Sequence, residues 1–315
     1  MDAATLEAER PYLRGVAYRL LGSVHDADDA VQEAMVRASA VTDVRSARAL
    51  LTTIVTRLCL DELRSARRRR VRYVGPWLPE PWPDDEIASS STSSSSSTSS
   101  SPSSSPSWPS SSSSPAASTV DRLVQRDDVS MSLLVLLEAL TPLERAAFVL
   151  REVLDEDFAD IAVAVDRTEP ACRKVLQRAR AKVRARQGPH VIAYADTHAA
   201  TVTAFVMALA SGDIDAVVRC LTDDVVVVTD HAGKVTAARK DVVGKDHVAR
   251  LFLGLTKKSA EDPRRSATLA WKNGALALVS FVGDAADTVV TFDVVIVDGA
   301  PRVRRLWNQR NPDKL

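Results

Sequence analysis

Apolar residues recur at three- and four-residue spacing through the N-terminal half of the chain, then give way to short β-type runs beyond about Val191. Leu6, Leu13, Val16, Ala17, Leu20 and Leu21 predict one helix face, and Ala27, Ala30, Val31, Ala34 and Met35 a second, over residues 5 to 38. Gly22 ends the first helix and Ser23 starts the next. A long helix from Ala47 to Arg70 follows, with Leu51, Ile54, Val55, Leu58 and Leu63 turned inward. From Thr141 to Arg186 the pattern is helical again. Asp157 to Val165 places Phe158, Ile161, Ala162 and Val165 on one face, and the tight Asp166-Arg167 connection leads to a last helix. Thr168 is a candidate cap for that helix, Pro170 fits its first turn, and Cys172, Val175, Leu176, Ala179 and Val183 form its buried stripe. Two helices joined by a short turn predict a helix-turn-helix.

In the last third, a helix from Ala193 to Ala210 presents Val202, Phe205, Val206 and Leu209, and a shorter one covers Ile214 to Leu221. Strands are predicted at Val225 to Thr229, Ala267 to Trp271, Ala275 to Phe281, Thr288 to Val297 and Arg302 to Asn308. Asn273-Gly274 and Asp298-Gly299 are hairpin turns between consecutive runs. The expected fold is multidomain: two all-α domains, then an α+β domain whose curved antiparallel sheet is backed by helices.

Between the helical domains, prolines make Tyr73 to Trp82 extended, and a serine tract runs from Ser89 to Ser114. Such a tract buries no core, so it is set aside from functional reasoning. A flexible linker of this kind spans roughly 30 Å. The predicted divisions are 1–75, a Pro/Ser-rich flexible linker 76–119, a helix-turn-helix domain 120–188, and 191–315.

A chain of 315 residues, 45% hydrophobic and 26% charged, supports several real cores. Formal net charge is zero, but cations gather at 64 to 72 and 173 to 186, and acids at 26 to 33 and in the C-terminal half. Cys59, Cys172 and Cys220 are far apart, which predicts reduced thiols and no zinc site. No signal pattern and no apolar run near the roughly 20 residues of a membrane span occur, so a cytoplasmic protein without membrane contact is expected. No metal or cofactor is expected either.

The second helix carries Asp26, Asp28, Asp29 and Glu33 beside Gln32, whereas the third ends in Arg64, Arg67, Arg68, Arg69 and Arg70. One surface of each sign fits two kinds of partner, a protein and a nucleic acid. On the last helix of the second domain, Arg173, Lys174, Gln177, Arg178, Arg180 and Arg184 face outward beyond Thr168. A merely solvated charged face is the plain alternative. Acids at four-residue spacing are nearly absent from that helix, however, and its start exposes amide groups suited to phosphates.

Leu20-Leu21-Gly22-Ser23 and Asp26-Ala27-Asp28-Asp29-Ala30-Val31-Gln32-Glu33 resemble region 2 of sigma-70-type transcription initiation factors, which the Leu58 to Arg70 helix continues. Leu140-Thr141-Pro142-Leu143-Glu144-Arg145, Phe148 to Val153 and Ala171-Cys172-Arg173 resemble region 4. There is no room for the intermediate regions of housekeeping factors, which points to the extracytoplasmic-function class. Tyr73 to Pro81 and the terminal Asn311-Pro312-Asp313-Lys314-Leu315 are similar to the subgroup with a fused SnoaL-like C-terminal domain. The resemblance implies binding to core RNA polymerase through its β′ and β subunits, with Asp28, Asp29, Gln32 and Glu33 meeting the β′ clamp helices. It further implies promoter DNA as a partner, the region 2 arginines on the minus-10 element and the helix after Thr168 in the major groove of the minus-35 element. Where the class carries an aromatic before the long helix, this chain has Ala49-Leu50-Leu51. Asp166 replaces a glycine common in the region 4 turn, and Asp tolerates the left-handed conformation.

Relatives of the C-terminal fold include isomerases and cyclases that use a carboxylate base. Here Tyr194 lies at the first helix rather than on the sheet, and Asp230, His231, His247 and Asp293 are scattered, which argues against catalysis. Trp271, Phe281 and Trp307 either line a small-molecule cavity or pack the core. Asp230-His231-Ala232-Gly233-Lys234 resembles the subgroup's Asp-Gly-Gly-Gly-Lys loop with two glycines replaced. Asp230 and Lys234, with Asn311, Pro312, Asp313 and Lys314, are the expected interdomain regulatory contacts. Two other readings stay open: a one-component ligand-sensing DNA-binding regulator, and an enzyme with a DNA-binding appendage.

Overall fold

The computed structural model describes residues 3–41, 46–70, 73–82, 130–187, 191–238 and 240–315. The first bundle contains α1 (Ala3–Leu21), α2 (Val24–Ser39) and α3 (Ala47–Arg70). Gly22 turns the chain at φ +69°, a conformation that costs glycine little. Ser23 then accepts a hydrogen bond from the Asp26 amide at 3.2 Å and caps α2. Leu13, Val16, Leu20, Ala27, Val31, Leu51 and Val55 close the core of this bundle.

The second bundle contains α4 (Met131–Leu137), α5 (Pro142–Phe148) running into a π-helical turn (Val149–Val153), α6 (Phe158–Val165) and α7 (Glu169–Gln187). Thr141 and Glu144 form a capping box at the start of α5. Asp166 sits in the left-handed region at φ 54° and ψ 58°, so α7 can start at once after α6 and the two form the helix-turn-helix. The two bundles share one continuous apolar core, with Leu51, Val55 and Cys59 in the same cluster as Phe148 and Ile161.

The C-terminal domain starts with β1 (Val191–Ile192), α8 (Ala195–Ser211) and α9 (Ile214–Arg219). It continues through β2 (Leu221–Asp230), β3 (Val242–Val243) and α10 (Lys245–Ala260), then β4 (Arg265–Lys272), β5 (Ala275–Val282), β6 (Ala285–Val297) and β7 (Ala300–Gln309). The strand order is β3-β2-β7-β6-β5-β4, with β1 paired to β6. Asn273-Gly274 and Asp298-Gly299 both adopt positive φ at the hairpins, the geometry that matches strand twist.

The structure corrects the expected purely antiparallel sheet at one point: β2 and β7 run parallel. Helix α10 carries the chain from β3 across the helical face to β4, so β2 has short β3 on one side and the last strand, β7, on the other. Sequence reading did not include α10, whose buried stripe is only Val248, Ala249 and Phe252.

One face of the sheet packs on α8, α9 and α10. Phe205 meets Phe252 and Phe292 edge to face, each pair at 5.8 Å between ring centres. The opposite face is covered by the helical half of the chain: Trp307 is buried with Leu78 and Met131, and Val135 and Val228 pack beside them. The three aromatics proposed as a cavity lining are therefore dispersed. Trp271 is half-exposed on the edge strand β4, and Phe281 packs near Ala277, Val279 and Val289.

A second correction concerns the linker. Residues 73–82 form a strap that is extended, as its prolines predict, but 76–82 are seated rather than part of a flexible linker: Leu78 and Trp82 are each 3% exposed in apolar surroundings. The rest of the predicted linker lies outside the described residues.

Candidate nucleic-acid and partner interfaces

The acidic face belongs to α2, whose other side is in the first bundle's core. Asp28 is held by the Arg14 guanidinium, with Nη2 donating to Oδ2 at 3.0 Å. Asp29, Gln32 and Glu33 point to solvent, and Val36 beside them is 63% exposed. Glu33 pairs with Arg37 at 2.7 Å and Asp29 lies 3.6 Å from His25. Exposed pairs of this kind are worth under about 1 kcal/mol, so a partner's cations can replace them.

Helix α3 supplies cations along its length. Arg64 is exposed and pairs with Asp61 at 2.7 Å. The side chains of Arg67, Arg68, Arg69 and Arg70 lie outside the described residues. Arg57 joins the bundles: it donates to the carbonyls of Val163 at 2.7 Å and Ala164 at 3.3 Å, at the C-terminal end of α6. Arg48 pairs with Glu9 and lies 4.6 Å over the Tyr12 ring, and the Tyr12 hydroxyl donates to Glu156 at 3.3 Å. Burial, then the Glu156 charge, pushes the Tyr12 phenol up to about 12. The Glu156 carboxyl is itself raised, by burial first, then by Asp160 and Asp157.

Along α7, Cys172, Val175, Leu176, Ala179 and Val183 are buried, which leaves Arg173, Lys174, Gln177, Arg178, Arg180 and Arg184 exposed. Thr168 is exposed just before the helix, and its carbonyl accepts from the Cys172 amide at 3.0 Å. The expected self-repulsion of this face needs adjusting, because acids from elsewhere approach one flank. Glu152 pairs with Arg180 at 2.6 Å and Glu144 with Lys182 at 2.7 Å, while Arg178 is 3.8 Å from Glu144. Glu144 is buried, which alone would raise its carboxyl, yet Lys182 and Thr141 hold it below the usual range. On the other flank, Lys174, Gln177 and Arg184 have no ion pair or hydrogen-bonding side-chain partner among the described residues. Sequence reading left out Lys182, whose position at the foot of α5 depends on tertiary packing.

The strap and the C-terminal domain meet in a polar knot. Asp230, fully buried at the end of β2, accepts from the Tyr73 hydroxyl at 2.5 Å and the Leu78 amide at 2.9 Å. Its main cation is Lys314, whose ammonium donates at 2.8 Å and also reaches the Leu78 carbonyl at 2.7 Å. That ammonium lies 4.1 Å from the centre of the Trp77 ring. Asn311 donates to the Tyr73 hydroxyl at 3.0 Å and Gln309 to the Pro79 carbonyl at 3.4 Å. Burial, followed by the hydrogen bond to Asp230, drives the Tyr73 phenol well above its ordinary value.

Of the other residues expected here, Pro312 opens a short 3-10 turn, and Lys234 pairs with Asp313 within the C-terminal domain. His231 packs against Gly75, where an added Cβ would lie 3.0 Å from the imidazole Nε2. Sequence reading missed Tyr73, Trp77 and Gln309 as knot residues; the aromatics flanking Gly75-Pro76 were the available signal.

A second clasp anchors the other end of the strap. Asn273, in the β4–β5 turn, accepts from the Trp82 amide at 3.1 Å and donates to the Tyr18 hydroxyl at 2.7 Å. Tyr18 stacks edge to face on Trp82 at 4.4 Å and donates to the Glu80 carbonyl. The strap therefore touches the first bundle and the C-terminal sheet together. Arg145 of α5 adds a bond from the second bundle to the Leu20 carbonyl at 2.8 Å.

Comparison with known proteins gives two family matches, Sigma-70 region 2 over residues 5–69 and Sigma-70 region 4 over residues 130–183. The ECF RNA polymerase sigma factor SigJ of Mycobacterium tuberculosis is 35% identical over 323 aligned positions, covering 100% of this chain and 93% of the relative. A probable ECF RNA polymerase sigma factor SigI from the same organism is 30% identical, covering 93% of this chain and 92% of its own length. The crystal structure of the M. tuberculosis extracytoplasmic function sigma factor SigJ superimposes with a TM-score of 0.70 at 32% identity, over 99% of this chain and 98% of that one.

Proposed function

Because the chain belongs to the extracytoplasmic-function branch of the sigma-70 family of RNA polymerase sigma factors, with a SnoaL-like domain fused at its C-terminus, we propose roles for its surfaces and a regulatory use for that domain. It is a sigma factor that acts in transcription initiation with core RNA polymerase and promoter DNA in the cytoplasm. The α2 face, with Asp29, Gln32 and Glu33 around exposed Val36, docks on the polymerase β′ clamp helices, and Asp28 joins it by exchanging Arg14 for a partner cation. The cationic side of α7 enters the upstream promoter element, with Lys174, Gln177 and Arg184 making the first contacts and Arg173, Arg178 and Arg180 supporting them. Arg64 and the arginines that follow it serve the downstream element.

The C-terminal domain regulates these modules in cis, and the Asp230–Lys314 knot carries that reading. It fastens the strap leaving the first bundle to the sheet that also covers α4 of the second. While it holds, the bundles stay in one shared core, with Arg57 occupied at the end of α6. Separated promoter elements require the bundles to part. Asp230 on β2 is bound by Lys314 and Asp293 on β6 by Arg304, so the two carboxylates stand apart and each is already neutralised, which supports a domain without catalysis of its own.

Reconstituted transcription with purified core polymerase tests both parts. Promoter-dependent output is expected from the full chain, raised severalfold by Lys314→Met. Failure of every variant to direct initiation would defeat the assignment of surfaces, and equal output from Lys314→Met and the parent chain would defeat regulation by the knot.

A further inference from the structure

Beside the knot, a separate cleft lies between the last turn of α7, helix α4 and the strap-facing side of β6 and β7. It is lined by Arg186, Gln187, Asp293, Arg304, Arg305 and Trp307 among others, with room of about 20 Å³. That is space for one or two water-sized groups, since a single water needs about 10–15 Å³.

Its polar groups are unevenly satisfied. Gln187 and Trp307 are 5% and 3% exposed, yet the Gln187 side-chain NH2 and the Trp307 indole N–H have no hydrogen-bond acceptor. Buried donors left unmade cost about 1–3 kcal/mol each, so two in one cleft point to an acceptor that completes them.

Charge balance indicates the kind of acceptor. Asp293 is 2% exposed and already compensated: Arg304 donates to its Oδ2 from Nη2 at 2.6 Å and Nε at 2.9 Å, and Ser132 lies 3.5 Å from Oδ1. The third reach of Arg304 is to the Gln187 carbonyl at 2.9 Å, which covers the negative end of α7. Arg304 therefore answers the local negative groups by itself. Arg186 and Arg305, at the same cleft, have no acidic partner among the described residues.

We propose that this cleft is a binding site for a small oxyanion, a phosphate monoester or a carboxylate. One oxygen is received by the Trp307 and Gln187 donors, and the remaining charge faces Arg186 and Arg305. Such a ligand bridges the promoter-reading helix to the C-terminal sheet. The site stands on its own donors, and only an effect on promoter output would rest on the regulatory reading, so binding is read directly.

The test is thermal unfolding of the full-length protein against inorganic phosphate or acetate, with chloride at matched ionic strength as reference. A saturable rise in Tm with one oxyanion is expected, and the stronger arm separates phosphate from carboxylate. The apparent Kd should rise at least tenfold in Arg305→Ala and in Trp307→Phe, which keeps the ring and removes the donor, and stay unchanged in the surface variant Arg250→Ala. A response no larger than that to chloride, or one equal in the parent chain and both cleft variants, overturns the site. So does a stabilisation by duplex DNA alone that vanishes in the same variants, which would assign these donors to the nucleic-acid backbone.

Discussion

The two faces of the C-terminal sheet are built by different rules. The face toward α8, α9 and α10 buries Val202, Phe205, Val217, Val248, Phe252, Phe292 and Leu306, a mainly apolar filling whose few buried polar groups, such as His198 at the Phe292 carbonyl and Asn308 at Thr229, carry no charge pair. The face toward the strap and α4 buries Asp230, Asp293 and Gln309 around one tryptophan, and its cations include Lys314 from the chain terminus and Arg304. Apolar packing is non-directional and holds a domain together under most conditions. A buried ion pair gains little over a hydrophobic filling, yet losing one partner is costly. The first face is suited to folding and the second to a contact that can be undone, because both partners of each pair regain water when the surfaces separate.

The largest effect should come from the apolar face. Phe205→Ala removes the ring at the centre of the aromatic trio and should destabilise the C-terminal domain by about 3–5 kcal/mol, measured by denaturant unfolding. A loss below about 1 kcal/mol would mean that this face is not the domain's core.

A somewhat smaller effect is expected on the polar face. Asp230→Ala leaves the Lys314 ammonium buried without its carboxylate and should cost about 3 kcal/mol, seen as early proteolysis of the strap. The paired change Asp230→Leu with Lys314→Met should recover most of that loss, because it removes both charges together. If the double variant is as fragile as the single one, the pair acts through shape rather than charge and the contrast between the faces is lost.

Much of the helical half was legible from local signals. The bounds of α3, the Gly22-Ser23 break and the left-handed Asp166 follow from periodicity, capping and turn chemistry, all decided within a few residues. The Asn273-Gly274 and Asp298-Gly299 hairpins follow for the same reason. What could not be read was decided at long range. Leu78 and Trp82 look like ordinary linker residues until β7 and Asn273 come against them. Helix α10 does carry a local signal, Val248, Leu251, Phe252 and Leu255 at three- and four-residue spacing, which sequence reading passed over; the parallel pairing of β2 and β7, by contrast, is decided at long range. In the same way Glu144 and Glu152 neutralise part of α7 from distant elements, which no spacing rule along α7 could have shown.

The central claim is that the polar knot keeps the two helical bundles in one core until the promoter complex pulls them apart. It is tested most directly by the distance between spin labels at the exposed positions Ala8 on α1 and Ala159 on α6, measured in the free protein and in complex with core polymerase and promoter DNA. One short-distance population should appear in the free chain, a longer one in the complex, and a mixture of the two in free Lys314→Met. The same single distance in all three samples would contradict it.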